Sequence, residues 1–233
     1  PPPAEIIAVI DGANKDLAST AASVGARTLV LEERRGPAAA RNRGAEAAGG
    51  EVLLFLDSDI EAPTDLCARV ADHLSEIGGL AAIIGSYDDA PGDSGFLSQY
   101  RNLLHHHVHQ TSRQEASTVW AGCGAVRRRV FLEVGGFDER YTEPSIEDIE
   151  LGARLRRGGH SIRLVKELQV KHLKRWRLFD MLATDLFRRA VPWTELMTAE
   201  GRLDDDLNVG IRYRLSVLLA AVLAVTLVLA WRW

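Results

Sequence analysis

Along the first hundred residues, short apolar runs alternate with segments of helical period. Glu5 to Ile10 (EIIAVI), Arg27 to Leu31 (RTLVL), the apolar run inside Glu51 to Ile60 (EVLLFLDSDI) and Leu80 to Tyr87 predict strands. Between them, Leu17 to Val24, the Ala-rich Pro37 to Ala48, Thr64 to Ile77 and Phe96 to His109 predict helices, the first two stopped by Gly25 and by Gly49 and Gly50. Strand and helix in turn predict an α/β domain, a mostly parallel central sheet flanked by helices. EVLLFL, bounded by glycines and Pro63, reads as a strand buried on both faces, so that Asp57 and Asp59 sit at its carboxyl end and point the same way.

The second half is more mixed. Thr118 to Arg127 predicts a strand, Val130 to Val134 a short helix closed by Gly135 and Gly136, and Ser145 to Arg157 an amphipathic helix. Two short strands follow, Ser161 to Val165 and Leu168 to His172, and then a helix from Arg177 to Ala190 with Leu178, Met181, Leu182, Leu186 and Phe187 on one side. That pattern suits a membrane surface as well as a core. Leu215 to Ala230 carries no charge and precedes Trp231 and Trp233. It predicts a tilted or short transmembrane helix over 211–233, with a buried C-terminal helix as the alternative. The expected organisation is a domain over 1–176, an interfacial helical segment over 177–210 and the span. Arg212 and Arg214 favour the preceding domain lying on the cytoplasmic face of the cell membrane.

Composition narrows this little. Of 233 residues 46% are hydrophobic, enough for a sizeable core, and the net charge of -4 gives no reason to expect a nucleic-acid partner. Two cysteines, Cys67 and Cys123, make no disulfide framework and fit a reducing compartment.

Candidate chemistry begins with Asp57 and Asp59, whose mutual repulsion a cation would relieve; hard oxygen ligands suit Mg or Mn bound together with a substrate's phosphates. An acidic loop that caps the following turn is the plainer explanation. Asp11 ends a neighbouring strand in the same sense. Glu147 and Asp148 open the amphipathic helix. Ser145 with Asp148 fits a capping box, whereas two adjacent acids delivered to a cleft fit a general base.

The motifs EIIAVIDGANKD, GPAAARNRGAEAAGGEVLLFLDSDIEAP, AGCGAVRRRVFLEVGGFDERY and SIEDIELGARLRRGGHSIRLV occur in the order and approximate spacing of family 2 glycosyltransferases with the GT-A fold, which the chain resembles from Glu5 to Trp176. The resemblance implies an inverting transferase that moves a sugar from a nucleoside-diphosphate sugar to a hydroxyl acceptor, with Mg or Mn as cofactor. It gives Asp11 and Arg41 to the nucleotide, Asp57 and Asp59 to metal and diphosphate, and Asp148 to the base, with Glu147 beside it. His172-Leu-Lys-Arg-Trp176 resembles the QxxRW motif of processive members, with His172 in place of Gln. It implies acceptor contacts from Arg175 and Trp176, while His172 is open between metal ligand, acceptor contact and strand-end histidine. Gly122 and Cys123 fall in a crowded acceptor wall. The family usually opens with an additional strand ending in a PTYN-like turn; this sequence starts after that point, and Ile10 and Ala13 replace residues of the frequent DDGS pattern.

Rival readings are a haloacid-dehalogenase-like phosphatase, disfavoured by Glu61 four residues after Asp57, and a non-catalytic membrane-anchored relative. His105 and His109, at i and i+4, read as a solvated or interfacial helix face before a metal pair. The acceptor suggested by the apolar C-terminal run is a lipid-linked or cell-surface glycan, with membrane lipid as a further partner.

Overall fold

The computed structural model describes residues 2–201 and, beyond them, Leu215, Ser216, Leu219, Val222, Leu223, Thr226 and Ala230. Most of the expected span over 211–233 therefore lies outside the described residues. Among the described residues no helix is long and apolar enough to cross a membrane.

Two sheets form. In the smaller one, β1 (Ile7–Asp11) pairs in parallel with β2 (Arg27–Leu31), joined through α1 (Lys15–Ser23). Asn14 caps α1 by accepting from the Leu17 N–H. From β2 the chain enters α2 (Pro37–Ala47), with Pro37 in its first turn, and reaches β3 (Val52–Leu56). There the second sheet begins, in the order β3, β7 (Cys123–Arg127), β5 (Leu80–Tyr87), β8 (Ser161–His172) and β4 (Ile60–Glu61), with the short β6 (Glu115–Ala116) also on β8.

This sheet is mixed, which corrects the mostly parallel expectation. β7 runs antiparallel to both β3 and β5, whereas β5 and β8 are parallel. The physical reason is that β7 arrives from the second half of the chain and inserts between two first-half strands. Alternation of strand and helix along the sequence carries no information about such an insertion. It also moves the doubly covered strand. All eight residues of β5 are buried, with paired neighbours on both edges. In β3 only Leu53 is fully buried, and among the described residues its second edge is unpaired.

Alternation along the strands splits the core in two. Leu53, Val126, Ile84 and Leu164 face a cluster completed by Phe131, Phe137 and Leu155. Cys123, Ala125, Ile83 and Val165 face the other, closed by Leu66, Val70 and Leu74 of α3 (Leu66–Glu76). Helix α2 serves both sheets: Ala38 and Ala45 enter the first cluster, while a Cβ at Gly44 would stand 3.2 Å from Val9 of β1.

Other boundaries shift for local reasons. The two strands expected over 161–172 are one, with a register irregularity against β5. The strand expected from Thr118 begins only at Cys123, because Ala121 and Gly122 form a turn. Beyond α4 (Phe96–Thr111), α5 (Arg128–Glu133) and α6 (Glu147–Arg157), the expected helix over 177–190 is α7 (Leu178–Ala183) followed by a π-helix (Thr184–Ala190), continuing into α8 (Val191–Glu200).

Candidate active site

Arg41, in the middle of α2, joins the carboxyl end of β3 to the start of α6. Its Nη2 donates to Asp57 Oδ1 and its Nη1 to Glu147 Oε1, each at 2.7 Å. Burial works against the Arg41 charge, but Asp57, Glu147 and, behind them, Asp148 outweigh it and raise the guanidinium pKa. One cation thus draws together three acids separated by ninety residues of chain.

Glu147 is only 5% exposed, and both its oxygens are engaged: Oε2 accepts from the Ser145 N–H at 2.9 Å. The capping box expected from Ser145 and Asp148 does not form. Ile146 is the N-cap, with no side-chain cap bond, and Asp148 turns instead to the Ala121 N–H, which donates to Oδ2 at 3.2 Å. Asp148 is therefore surrounded by protein while keeping part of its surface accessible. Burial, and then the Glu147 charge, raise its pKa to about 7, against the opposing pull of Arg41 and the Ala121 N–H. A carboxylate that titrates near neutrality can accept a proton and release it again.

The walls are set by close packing. Gly152 of α6 lies so near the backbone of Thr118 that a Cβ there would come within 2.5 Å of it, which presses α6 against the segment leading to Ala121. A Cβ at Gly122 would meet the Trp120 ring at 2.5 Å. Cys123 is buried, and burial pushes its thiol up to about 12, so it is a small apolar filler and not a nucleophile. On the other side, Asn42 of α2 donates to the Phe137 carbonyl and accepts from the Phe137 N–H, both at 2.8 Å. That pins the GGFDERY loop over α2.

Asp57 and Asp59 do not point the same way. A turn follows Leu56, so the strand's two-residue period ends before Asp59. Asp57 goes to Arg41, and Asp59 Oδ2 lies 3.7 Å from His172 Nε2 at the end of β8. The His172 imidazole nearby is the chief cause that lowers the Asp59 pKa, against burial. The repulsion expected between the two acids is thus relieved by two separate partners. Among the described residues no three His, Cys, Asp or Glu side chains gather where one ion could touch them all. The set Asp57, Asp59 and His172 divides into a pair, Asp59 with His172, and Asp57 on Arg41.

Asp11 accepts from the backbone N–H groups of Arg35 (2.7 Å) and Gly36 (2.9 Å), fixing the loop that leads into α2. Gly36 has φ of +92° and lies against the Thr142 carbonyl, so no other residue fits there. Arg175 is exposed. Trp176 donates its backbone N–H to Ser98 Oγ at 2.8 Å, while its ring lies beneath Lys174 and Arg101.

Tyr87, which no sequence pattern marks, links the histidines into one ring cluster. His172 stacks on Tyr87, centroids 4.3 Å apart and planes 13° off parallel. Tyr87 is also walled by His105 (4.4 Å) and by Trp120 (4.8 Å), and His105 lies 4.0 Å from His109. His105 and His109 therefore face inward, not toward solvent. Burial holds the pKa of His105 well below its ordinary value and brings that of His109 to about 4. Neutral at physiological pH, both act as ring surfaces that join His172 to Trp120 and hence to Ala121, the partner of Asp148. Tyr87 ends a fully apolar-looking strand, and nothing in its spacing marks it.

Residues 1–135 match the family model of glycosyl transferase family 2. The chain belongs to that family. This sets aside the phosphatase alternative. Solved structures of similar fold include GalNAc-T7 with UDP, GalNAc and Mn2+ (20% identity, TM-score 0.58) and a mannosyltransferase from Pyrobaculum calidifontis in complex with GDP-Man and Mn2+ (19%, 0.55). A third is glucosyl-3-phosphoglycerate synthase from Mycobacterium tuberculosis with Mn2+ and UDP-glucose (18%, 0.59). The matches cover 75%, 76% and 86% of this chain, and 38%, 50% and 70% of those proteins. At such identities the likeness establishes a shared fold, an α/β core with a mixed central sheet.

Proposed function

We propose that this family 2 member transfers a sugar, with inversion, from a nucleoside-diphosphate sugar to a hydroxyl acceptor. The observation that carries the reading is Asp148: an enclosed carboxylate, poised near neutral pH, beside Glu147 and the Arg41–Asp57 pair, with Asp59, two residues on from Asp57, set against His172. Asp148 removes the proton of the acceptor hydroxyl as that oxygen bonds to the anomeric carbon and the bond from that carbon to the diphosphate oxygen breaks. Glu147, committed to Arg41 and Ser145, sets the position of the helix turn that carries Asp148. Arg41 bonds Asp57 and Glu147 and offsets part of the repulsion between Glu147 and Asp148, and it lies ready to oppose diphosphate charge.

The family likeness implies Mg or Mn. Asp59 and His172 fit as holders: a partly exposed carboxylate and an imidazole nitrogen 3.7 Å apart offer two donors, and a donor diphosphate would complete the set. The bound ion would offset charge on the departing diphosphate. UDP- and GDP-sugars are the donors bound by the solved structures of similar fold, which supports testing both bases. Asp11 and Arg41 are assigned to the nucleotide side, and Gly122, Cys123, Arg175 and Trp176 to the acceptor side. The charge-free run Leu215 to Ala230, preceded by Arg212 and Arg214, supports a membrane anchor with the domain facing the cytoplasm and a lipid-linked or surface glycan as acceptor.

Calorimetry with UDP-, GDP- and dTDP-sugars, with and without Mn, tests the donor assignment. The expected result is metal-dependent binding of one base that Asp59→Asn abolishes. Unchanged binding by Asp59→Asn would overturn the assignment.

A further inference from the structure

Large apolar side chains stand out in solvent on one stretch of chain: Phe179 is 82% exposed and Phe187 68%, with Leu182 and Leu186 between them. Phe96 (81%) and Tyr100 stand out on α4, which Arg101 ties to the π-helix through its ion pair with Asp185. Patches of this kind on a folded domain mark an interaction surface. The charge around them identifies the partner. From Lys171 to Arg189 the sequence has six Lys and Arg against Asp180 and Asp185, in a chain whose net charge is -4. Lys174, Arg175, Arg177, Arg188 and Arg189 are all exposed. Aromatic and aliphatic residues flanked by basic ones on a single helical stretch suit the boundary of an anionic bilayer, where the rings enter the acyl region and the cations meet headgroups. Further along the sequence comes the charge-free run from Leu215 to Ala230.

We infer that the outer face of α7 and the π-helix, with Phe96 and Tyr100 of α4 beside it, docks on an anionic membrane surface and turns the acceptor side of the site toward it. Two contacts join this face to the site. The Ser145 hydroxyl donates to the Arg188 carbonyl at 2.6 Å, just before the turn that carries Glu147 and Asp148. Trp176, on the way into α7, stacks against Arg101. An acceptor whose hydroxyl sits at headgroup level would then reach Asp148 without leaving the membrane. The last step rests on the transferase reading; the docking face itself does not.

The test uses the full chain with Cys67 replaced by Ser and an environment-sensitive fluorophore on F179C, F187C or, on the remote exposed helix α1, S19C. Vesicles of phosphatidylcholine with phosphatidylglycerol are expected to blue-shift the probe at 179 and 187 and leave it unchanged at 19. Phosphatidylcholine alone is expected to do so more weakly, and added salt to reduce the difference. Phe179→Glu with Phe187→Glu should weaken vesicle partitioning at least about tenfold while donor binding by calorimetry stays unchanged. Vesicle attachment with no shift at 179 and 187 would overturn the docking face and leave the C-terminal run as the sole anchor. A concentration-dependent shift without vesicles would overturn it in favour of contact between two copies. Loss of donor binding in the unsubstituted chain would count against the transferase reading alone.

Discussion

Asp148 and Asp59 are the same residue type in one candidate site, and their environments drive them in opposite directions. Asp148 is enclosed next to a second acid, and its pKa is raised to about 7; Asp59 lies 3.7 Å from the His172 imidazole, and its pKa is lowered. What separates them is the placing of cations. Arg41 satisfies Asp57 and Glu147 directly and reaches Asp148 only through space, so Asp148 keeps the cost of burial. The division gives one carboxylate that can take a proton at neutral pH and one that stays charged, as a base and a cation holder require.

The largest expected effect breaks that contrast at its basic end. Asp148→Asn should lower kcat by about 10²- to 10⁴-fold with donor affinity nearly unchanged. The same substitution carries a stability signature. With a folded pKa near 7 against an ordinary 3.8, the folded chain binds a proton that the unfolded chain has released between about pH 4 and 7. This group's contribution to stability therefore falls as pH rises across that window and is flat above it. Asp148→Asn should remove the slope and make the chain more stable at pH 8 by about 1 kcal/mol or more, read from denaturant midpoints.

Arg41→Gln attacks the cation that both ends share. Leaving Asp57 and Glu147 without their partner should cost about 2–3 kcal/mol of stability and move the activity midpoint set by Asp148 to higher pH. A pH profile of kcat separates that shift from simple unfolding. Gly152→Ala should act only through the wall, since its Cβ meets the Thr118 backbone within 2.5 Å; about 1–3 kcal/mol is expected, with the kcat midpoint unmoved. Tyr87→Phe keeps the ring beneath His172 and should be the mildest, whereas Tyr87→Leu should weaken Mn-dependent donor binding at least about threefold.

How much of this was legible in the sequence follows from what each signal measures. Apolar periodicity found β1, β2, β3 and β5 because burial of a strand leaves its mark on its own residues. Pairing leaves none, and so the antiparallel insertion of β7 between β3 and β5 was missed. The succession of motifs gives Arg41, Asp57, Asp59 and Asp148 to one site, and in the structure Arg41 bonds Asp57 with Asp148 behind Glu147. It could not show that the turn after Leu56 sends Asp57 and Asp59 to different partners, or that Glu147 is wholly taken up by Arg41 and Ser145. His105 and His109 were misread as an outward face because imidazole counts as polar in a pattern, whereas burial against Tyr87 and Trp120 keeps both rings neutral.

In the proposed transfer Asp148 is the proton acceptor. Single-turnover transfer with saturating donor, compared between the native chain and Asp148→Asn from pH 5 to 9, reads that role directly. The native rate should rise with pH and level off above about 7, while Asp148→Asn binds donor and transfers at least about a hundredfold more slowly. Transfer by Asp148→Asn within a few-fold of the native rate, with the same pH profile, would contradict it.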